Sequence, residues 1–159
     1  MSNYVLCKVN SKKDYNAFSS FPFTLYKNCH QWVPAITNEE KAIFNPASNP
    51  VFENAEAKLF LVKKEKQVVG RIAAMINWIE VKEQGKTKVR FGWYDTIDDI
   101  EVSNLLIDAV YDWGKQNSLT YLEGPMGFSN MGIAGLLGQG YEYMNTWSTW
   151  SHYPAHKQH

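Results

Sequence analysis

Cysteine is nearly absent from this chain: Cys7 and Cys29 are the only two in 159 residues. Two thiols make no disulfide framework, and Cys29-His30 lacks the paired spacing of a zinc site, so a reducing, cytoplasmic compartment is the expectation. Net charge is absent as well. Lysine plus arginine number 16 against 16 aspartates and glutamates, which leaves no overall electrostatic footprint for nucleic acid or an anionic membrane. No apolar run approaches the ~20 residues that span a bilayer. The opening MSNYVLCKVNSKKDY has no cationic segment followed by an apolar stretch and a cleavage site. There is no N-x-[ST] sequon, no low-complexity tract and no internal repeat. Neither a nucleic-acid partner nor a membrane partner is expected.

What is present suits one packed domain. The chain is 45% hydrophobic and 14% aromatic, with 20% charged residues, so core-forming material is ample. A chain of this length buries roughly 70% of its unfolded surface. One domain over 1–159 is expected, with the polar end 151–159 as a loose tail.

Period and punctuation place the elements. Tyr4 to Val9 alternates as a short strand. Ser11 or Asp14 caps a helix carrying Tyr15 and Phe18, and Pro22 restarts the chain at an N1-like position. A short helix is read over Asn38 to Phe44, before the breaks at Asn45-Pro46 and Asn49-Pro50. Lys58 to Lys63 and Gln67 to Val81 read as antiparallel strands. The second is apolar on both faces and therefore central. Gln84-Gly85-Lys86 is a turn and Lys88 to Thr96 the returning strand. Val102, Leu105, Leu106, Ala109, Val110 and Trp113 form one helical stripe, with Asp98 and Glu101 as a capping box. Leu119 to Glu123 reads as a strand, Asn130 to Leu137 as a glycine-bearing helix and Tyr141 to Trp150 as a last strand. The helical crossover before Leu119 requires a parallel pair. The expected fold is mixed α/β: a sheet antiparallel at first and parallel at the end, with helices on both faces.

Several candidates follow from residue type alone. Arg71, inside a central strand, needs a carboxylate partner such as Glu56 or Glu123, or a ligand anion. Asn77 and Asn130 are substrate-binding candidates that read equally well as a strand end and a helix cap. Gly132, Gly135, Gly138 and Gly140 lack the context of a phosphate loop. His152, His156 and His159 lie in the tail, and no metal site is expected. Trp147, Trp150 and Tyr153 make an aromatic C-terminal segment suited to a second copy of the chain or to a missing second half.

A family resemblance rests on particular runs. Phe21-Pro-Phe-Thr-Leu-Tyr-Lys, Trp32-Val-Pro, Asn49-Pro-Val-Phe-Glu-Asn-Ala-Glu-Ala and Val69-Gly-Arg-Ile-Ala-Ala-Met-Ile-Asn77 resemble a bacterial group of GNAT-like proteins of the YghO type. Phe91-Gly-Trp, Gly124-Pro125 and Gly135-Leu-Leu-Gly-Gln-Gly-Tyr141 continue the likeness over nearly the whole chain. Members of that group are longer, with a second half beyond the point where this chain stops.

The resemblance implies an N-acyltransferase that moves an acyl group from acyl-CoA or acetyl-CoA to a small-molecule amine or a peptide. It implies that the acyl donor lies where the fourth and fifth strands splay apart. By position, Trp93, Tyr94, Asp95, Thr96 and Ile97 would then face the cofactor, and Tyr141 would protonate the leaving thiolate. The family pattern also places glycines in the loop after the fourth strand, where backbone N–H groups wrap the pyrophosphate. This chain has Tyr94-Asp-Thr-Ile-Asp-Asp-Ile-Glu101 instead, without glycine and with four carboxylates. The alternative implied by that departure is a catalytically degenerate module that binds a ligand or a protein.

Overall fold

The computed structural model describes residues 3–129, 134–146 and 154. Five strands form one sheet in sequence order. They are β1 (Tyr4–Lys8), β2 (Ala55–Lys64), β3 (Gln67–Asn77), β4 (Lys88–Thr96) and β5 (Tyr121–Glu123). The first three pairings are antiparallel and β4–β5 is parallel, as the crossover requires. β3 is the middle strand, and Val69 to Ile76 are all buried, which is why both of its faces are apolar.

Two helical layers cover the sheet. On one face α4 (Ile100–Gln116) packs Val102, Leu106, Val110 and Trp113 against Val62, Ile72, Ala74, Ile76 and Val89. On the other, α1 (Lys12–Leu25) and α2 (Thr37–Ile43) place Phe18, Ile43 and the following Phe44 against Leu59, Leu61, Ala73, Met75 and Trp93. Burying such apolar side chains is worth about 1.5–3 kcal/mol each before chain entropy is set against it.

The structure departs from the sequence expectations at element ends. α1 is capped by Ser11, whose Oγ accepts from Asp14 N at 3.1 Å, and it runs through Pro22 without restarting. β3 stops at Asn77 rather than at Val81, and α3 (Trp78–Lys82) follows at once. Asn77 Oδ1 accepts from Ile79 N and Glu80 N, so this side chain turns the chain out of the sheet as a helix cap. The cap of α4 is Asp99, one residue later than Asp98, with Oδ1 accepting from Glu101 N at 2.9 Å. Its other oxygen takes the Tyr4 hydroxyl at 2.7 Å, tying the cap to β1. The described part of the expected 130–137 helix, 134–137, is not helical; Ala134 bridges Met126 instead. Residues 141–146 form no strand, with a turn over 141–143. Asn130, Gly132, Trp147, Trp150, His152, Tyr153, His156 and His159 lie outside the described residues.

Candidate functional site

Strand alternation sends one set of β4 side chains toward α1 and α2. It would read Lys88, Arg90, Gly92 and then Tyr94, but the strand carries an irregularity. Arg71 pairs with Asp95 while Ala73 pairs with Gly92, so two steps on β3 span three on β4. The extra residue sits at Trp93, whose φ is +47°. Few non-glycine residues adopt such a conformation, and bulges of this kind re-aim side chains beside functional sites. The result is that Trp93 and Asp95 both join the α1/α2 face, while Tyr94 turns to the α4 side and bonds Ser103. Burial pushes the Tyr94 hydroxyl pKa up.

β4 and β5 share a short ladder. Lys88, Val89 and Arg90 pair with Tyr121, Leu122 and Glu123, after which Met126 N donates to Phe91 O. A side chain at Gly92 would stand 2.2 Å from Met126 O, so glycine is what admits this close approach. Beyond it, no described strand pairs with β4 on the β5 side. On the α1/α2 face at this point Phe44 meets Trp93 with ring centroids 4.5 Å apart, and Phe128 packs on Phe44 and Phe52. A groove of about 510 Å³ opens on the β1–β2 side of Phe44 and Phe52, lined also by Lys8, Lys12, Tyr15 and Lys58, and neither Trp93 nor Phe128 lines it.

Two ion-paired groups flank this aromatic wall. At the far end of β4, the Arg71 guanidinium is 3% exposed. Its Nε donates to Asp95 Oδ2 at 2.7 Å, and its Nη1 to Glu40 Oε1 at 2.9 Å and to the carbonyl of Phe18 at 3.0 Å. Tyr26 donates to the other Asp95 oxygen at 2.7 Å. Burial opposes the charge on Arg71, but the attraction of Asp95 and Glu40 outweighs it and raises the pKa, so the cation persists. The partners differ from the expected Glu56 or Glu123. Asp95 lies directly across the strand pair, whereas Glu56 accepts from Trp78 Nε1.

At the near end, Lys88 and Arg90 are 4% and 2% exposed. Lys88 reaches Glu80 and Glu123, and Arg90 reaches the same two carboxylates and the carbonyl of Phe128. Burial works against ionisation of Glu123, yet the hydrogen bond and charge of Lys88, with those of Arg90, hold its carboxyl below the ordinary value. Buried ion pairs add little net stability for their desolvation cost, and two such groups share one face of β4.

The loop after β4 is closed on itself. Ile97 N donates to Val69 O, Asp99 N to Ile97 O and Glu101 N to the Asp99 carboxylate. Three backbone donors of this glycine-free loop, at Ile97, Asp99 and Glu101, are thus engaged within the protein.

Among the sequence candidates, the structure brings Arg71, Trp93 and Asp95 to one face. Tyr94 and Thr96 sit on the α4 side, Thr96 beside Gly70 and fully buried, and Ile97 packs with that same core. Asn77 is at the opposite end of β3 from Arg71, paired with Ala55. Tyr141 donates to Leu137 O, and its segment meets the α1–α2 connector where Asn145 N donates to Gln31 O at 3.0 Å. Sequence reading passed over Glu40, Tyr26, Phe44, Lys88 and Arg90 as site residues, and took Glu123 for a partner of Arg71 when it pairs with Lys88 and Arg90. The one signal available was the alternation of Lys88 and Arg90 in a strand expected to be covered.

No family model matches the chain. It is 32% identical over 135 residues to Protein YghO of Escherichia coli (strain K12), covering 83% of this chain and 34% of that protein. It is 30% identical over 135 residues to the bacterial ceramide synthase of Caulobacter vibrioides, covering 84% of this chain and 35% of that one. The chain thus spans about a third of the length of these curated relatives. Among solved structures, FeeM, an N-acyl amino acid synthase from uncultured soil microbes, matches with a TM-score of 0.53 at 14% identity, over 77% of this chain and 72% of that one. The chain is a relative of YghO and of the bacterial ceramide synthase, built on the GNAT-like acyltransferase fold.

Proposed function

We propose that this chain belongs to an N-acyltransferase that moves an acyl group from a thioester donor, acyl-CoA by the family pattern, to an amine. The observation that carries this reading is the bulge at Trp93 beside the end of the three-pair β4–β5 ladder. A bulge turns backbone groups out of the ladder at the point where a thioester carbonyl would lie. Donors aimed at a developing oxyanion are the largest single contribution to acyl transfer. The aromatic wall of Trp93, Phe44 and Phe128 supplies the apolar surface that a long acyl chain seeks. The names of two similar proteins, a ceramide synthase and an N-acyl amino acid synthase, support the same reaction class.

In this reading the neutral amine attacks the thioester carbon, the tetrahedral oxyanion forms beside Trp93 and collapses to the amide as the C–S bond breaks, and the proton lost by the amine nitrogen replaces the one the leaving thiolate takes up. Tyr141 is the proposed proton donor to that thiolate. The closed loop at Asp95–Glu101 adds a condition: the acyl and pantetheine portions of the donor carry its affinity, and the nucleotide carries little. Thiol release tests this with palmitoyl-CoA and with palmitoyl-pantetheine, which lacks the nucleotide, each in the presence of a mixture of amines. Amine-dependent release from both supports the reading; release from neither, at any amine concentration, sinks it.

A second reading, a module that binds a ligand without chemistry, draws on one observation. The side chains from Tyr94 to Asp99 are committed to internal bonds: Tyr94 to Ser103, Asp95 to Arg71 and Tyr26, and Asp99 to Tyr4 and the α4 cap.

A further inference from the structure

Phe44 stands between two parts of the α1/α2 face. On one side its ring meets Trp93 at the β4 bulge, with centroids 4.5 Å apart and planes at 65°. On the other it lines the groove of about 510 Å³, together with Tyr15, Phe52, Ala57 and Leu59. Trp93 does not line that groove, so the Phe44 ring separates the groove from the bulge.

The sheet beneath is continuous from one to the other. Leu59 on β2 pairs with Ala73 on β3, and Ala73 pairs with Gly92 on β4, next to Trp93. This row crosses two strand spacings, about 10 Å. An extended alkyl chain covers that distance with roughly eight carbons, given C–C bonds of ~1.5 Å in zigzag. Leu59, Ala73 and Trp93 belong to one buried cluster, against which Phe44 packs. A chain laid along the row from the bulge therefore meets the Phe44 ring before it reaches the groove. The ring is half-buried and sits at the C-cap of α2, a helix of 7 residues. The groove beside it has a volume typical of a ligand site, so rotation of the ring into it displaces no protein atom. Among the described residues that line the groove none is acidic, and its floor and walls offer aliphatic and aromatic surface.

We propose that Phe44 is the residue that sets acyl-chain preference, as a partition that chains longer than about eight carbons turn aside. The groove on its β1–β2 side then holds the distal part of the chain. This rests on the acyl-transfer reading and names a specificity-determining residue for it. Shorter chains end against Trp93 and Phe44 and leave the ring in place. Longer chains rotate it and bury their further methylenes along Phe52, Ala57 and Leu59. Preference for a long chain is therefore the burial gained in the groove, reduced by the contact between Phe44 and Trp93 that is given up.

Thioethers separate binding from turnover, because S-octyl-pantetheine and S-tetradecyl-pantetheine carry no acyl group to transfer. Calorimetry is expected to show the wild-type protein binding the tetradecyl ligand at least about tenfold more tightly. Phe44→Ala should widen that ratio several-fold, since no ring has to move. Ala57→Leu, which puts a larger side chain into the groove, should narrow the ratio toward one. A change that only loosened the fold would weaken both ligands alike and leave the ratio where it was. Thermal unfolding confirms that the variants fold, and Phe44→Leu repeats the first test with a smaller loss of packing. A wild-type ratio near one, a ratio that either variant leaves unchanged or moves the other way, or binding of neither ligand overturns the proposal. Equal kcat/KM for thiol release from octanoyl- and tetradecanoyl-pantetheine also overturns it, while leaving acyl transfer itself standing. Absence of thiol release with every amine sinks acyl transfer, and the calorimetry still decides the groove.

Discussion

Arg71 Nη1 donates to the carbonyl of Phe18, the carbonyl whose helical partner would have been the nitrogen of Pro22. Proline inside a helix removes one i→i−4 bond and normally breaks or kinks the element. Here the orphaned acceptor is satisfied from the sheet beneath, so α1 continues to Leu25. The same guanidinium lies over the Phe18 ring, 4.9 Å from its centroid. One residue thus joins helix and sheet while holding two carboxylates.

That relationship makes Arg71 and Pro22 energetically coupled. Arg71→Met strands Asp95 and Glu40 in the core and is expected to destabilise the protein by about 3–5 kcal/mol. In a Pro22→Ala background the restored N–H serves Phe18, and the cost should shrink by about 1 kcal/mol. A double-mutant cycle in urea measures the difference; strictly additive effects would contradict the shared carbonyl.

The cap of α4 distinguishes two adjacent acids. Asp99→Ala removes the acceptor for Glu101 N and the partner of the Tyr4 hydroxyl, and should cost about 1–2 kcal/mol. Asp98→Ala leaves the Asp99 cap of α4 in place and should cost less than Asp99→Ala. Equal costs at both positions would place the cap wrongly.

Glu123 sets an acid-side dependence. Its carboxyl is held below the ordinary value in the folded protein, so between the folded and unfolded values the unfolded chain binds more protons. Stability therefore rises with pH across that window. The contribution is fully present above the ordinary carboxylate range and is lost as pH falls through the folded value. Glu123→Gln should flatten the acid limb of a stability–pH curve while leaving its neutral plateau parallel to wild type. An unchanged acid limb would mean that the pairing with Lys88 and Arg90 does not persist in solution.

Gly92 is a packing constraint rather than a flexible joint. The added methyl of Gly92→Ala would meet the Met126 carbonyl, backbone against backbone, and is expected to cost about 1–3 kcal/mol. Gly85→Ala meets nothing within 4 Å, and any loss there comes from its φ of +66° alone. Hydrogen exchange at the Met126 amide, which donates to Phe91 O, should accelerate in the first variant and not in the second.

The sheet order and α4 were legible because both depend on local period. The long apolar run over Gln67 to Asn77 and the three–four spacing from Val102 to Trp113 need no distant partner to be read. The end of β3 was not legible: Trp78 and Val81 extend a plausible strand pattern, and only the cap at Asn77 shows that the chain has left the sheet. Pro22 misled for the opposite reason, since its usual consequence is cancelled by a residue far away in sequence. The site was half visible. Arg71 declared its need for an anion by its placement, but the choice of Asp95 and Glu40 depends on strand register and on the docking of α2. The Trp93 bulge has no sequence signature, because its positive φ falls on a tryptophan rather than on a glycine.

The central claim is that an acyl thioester is attacked by an amine beside Trp93, without a grip on the nucleotide. Amine-dependent thiol release, compared between palmitoyl-CoA and palmitoyl-pantetheine, tests it most directly. The account predicts release from both donors at rates within about tenfold of each other, a gap of roughly 1.4 kcal/mol. Release from neither donor, or release from palmitoyl-CoA alone, would contradict it.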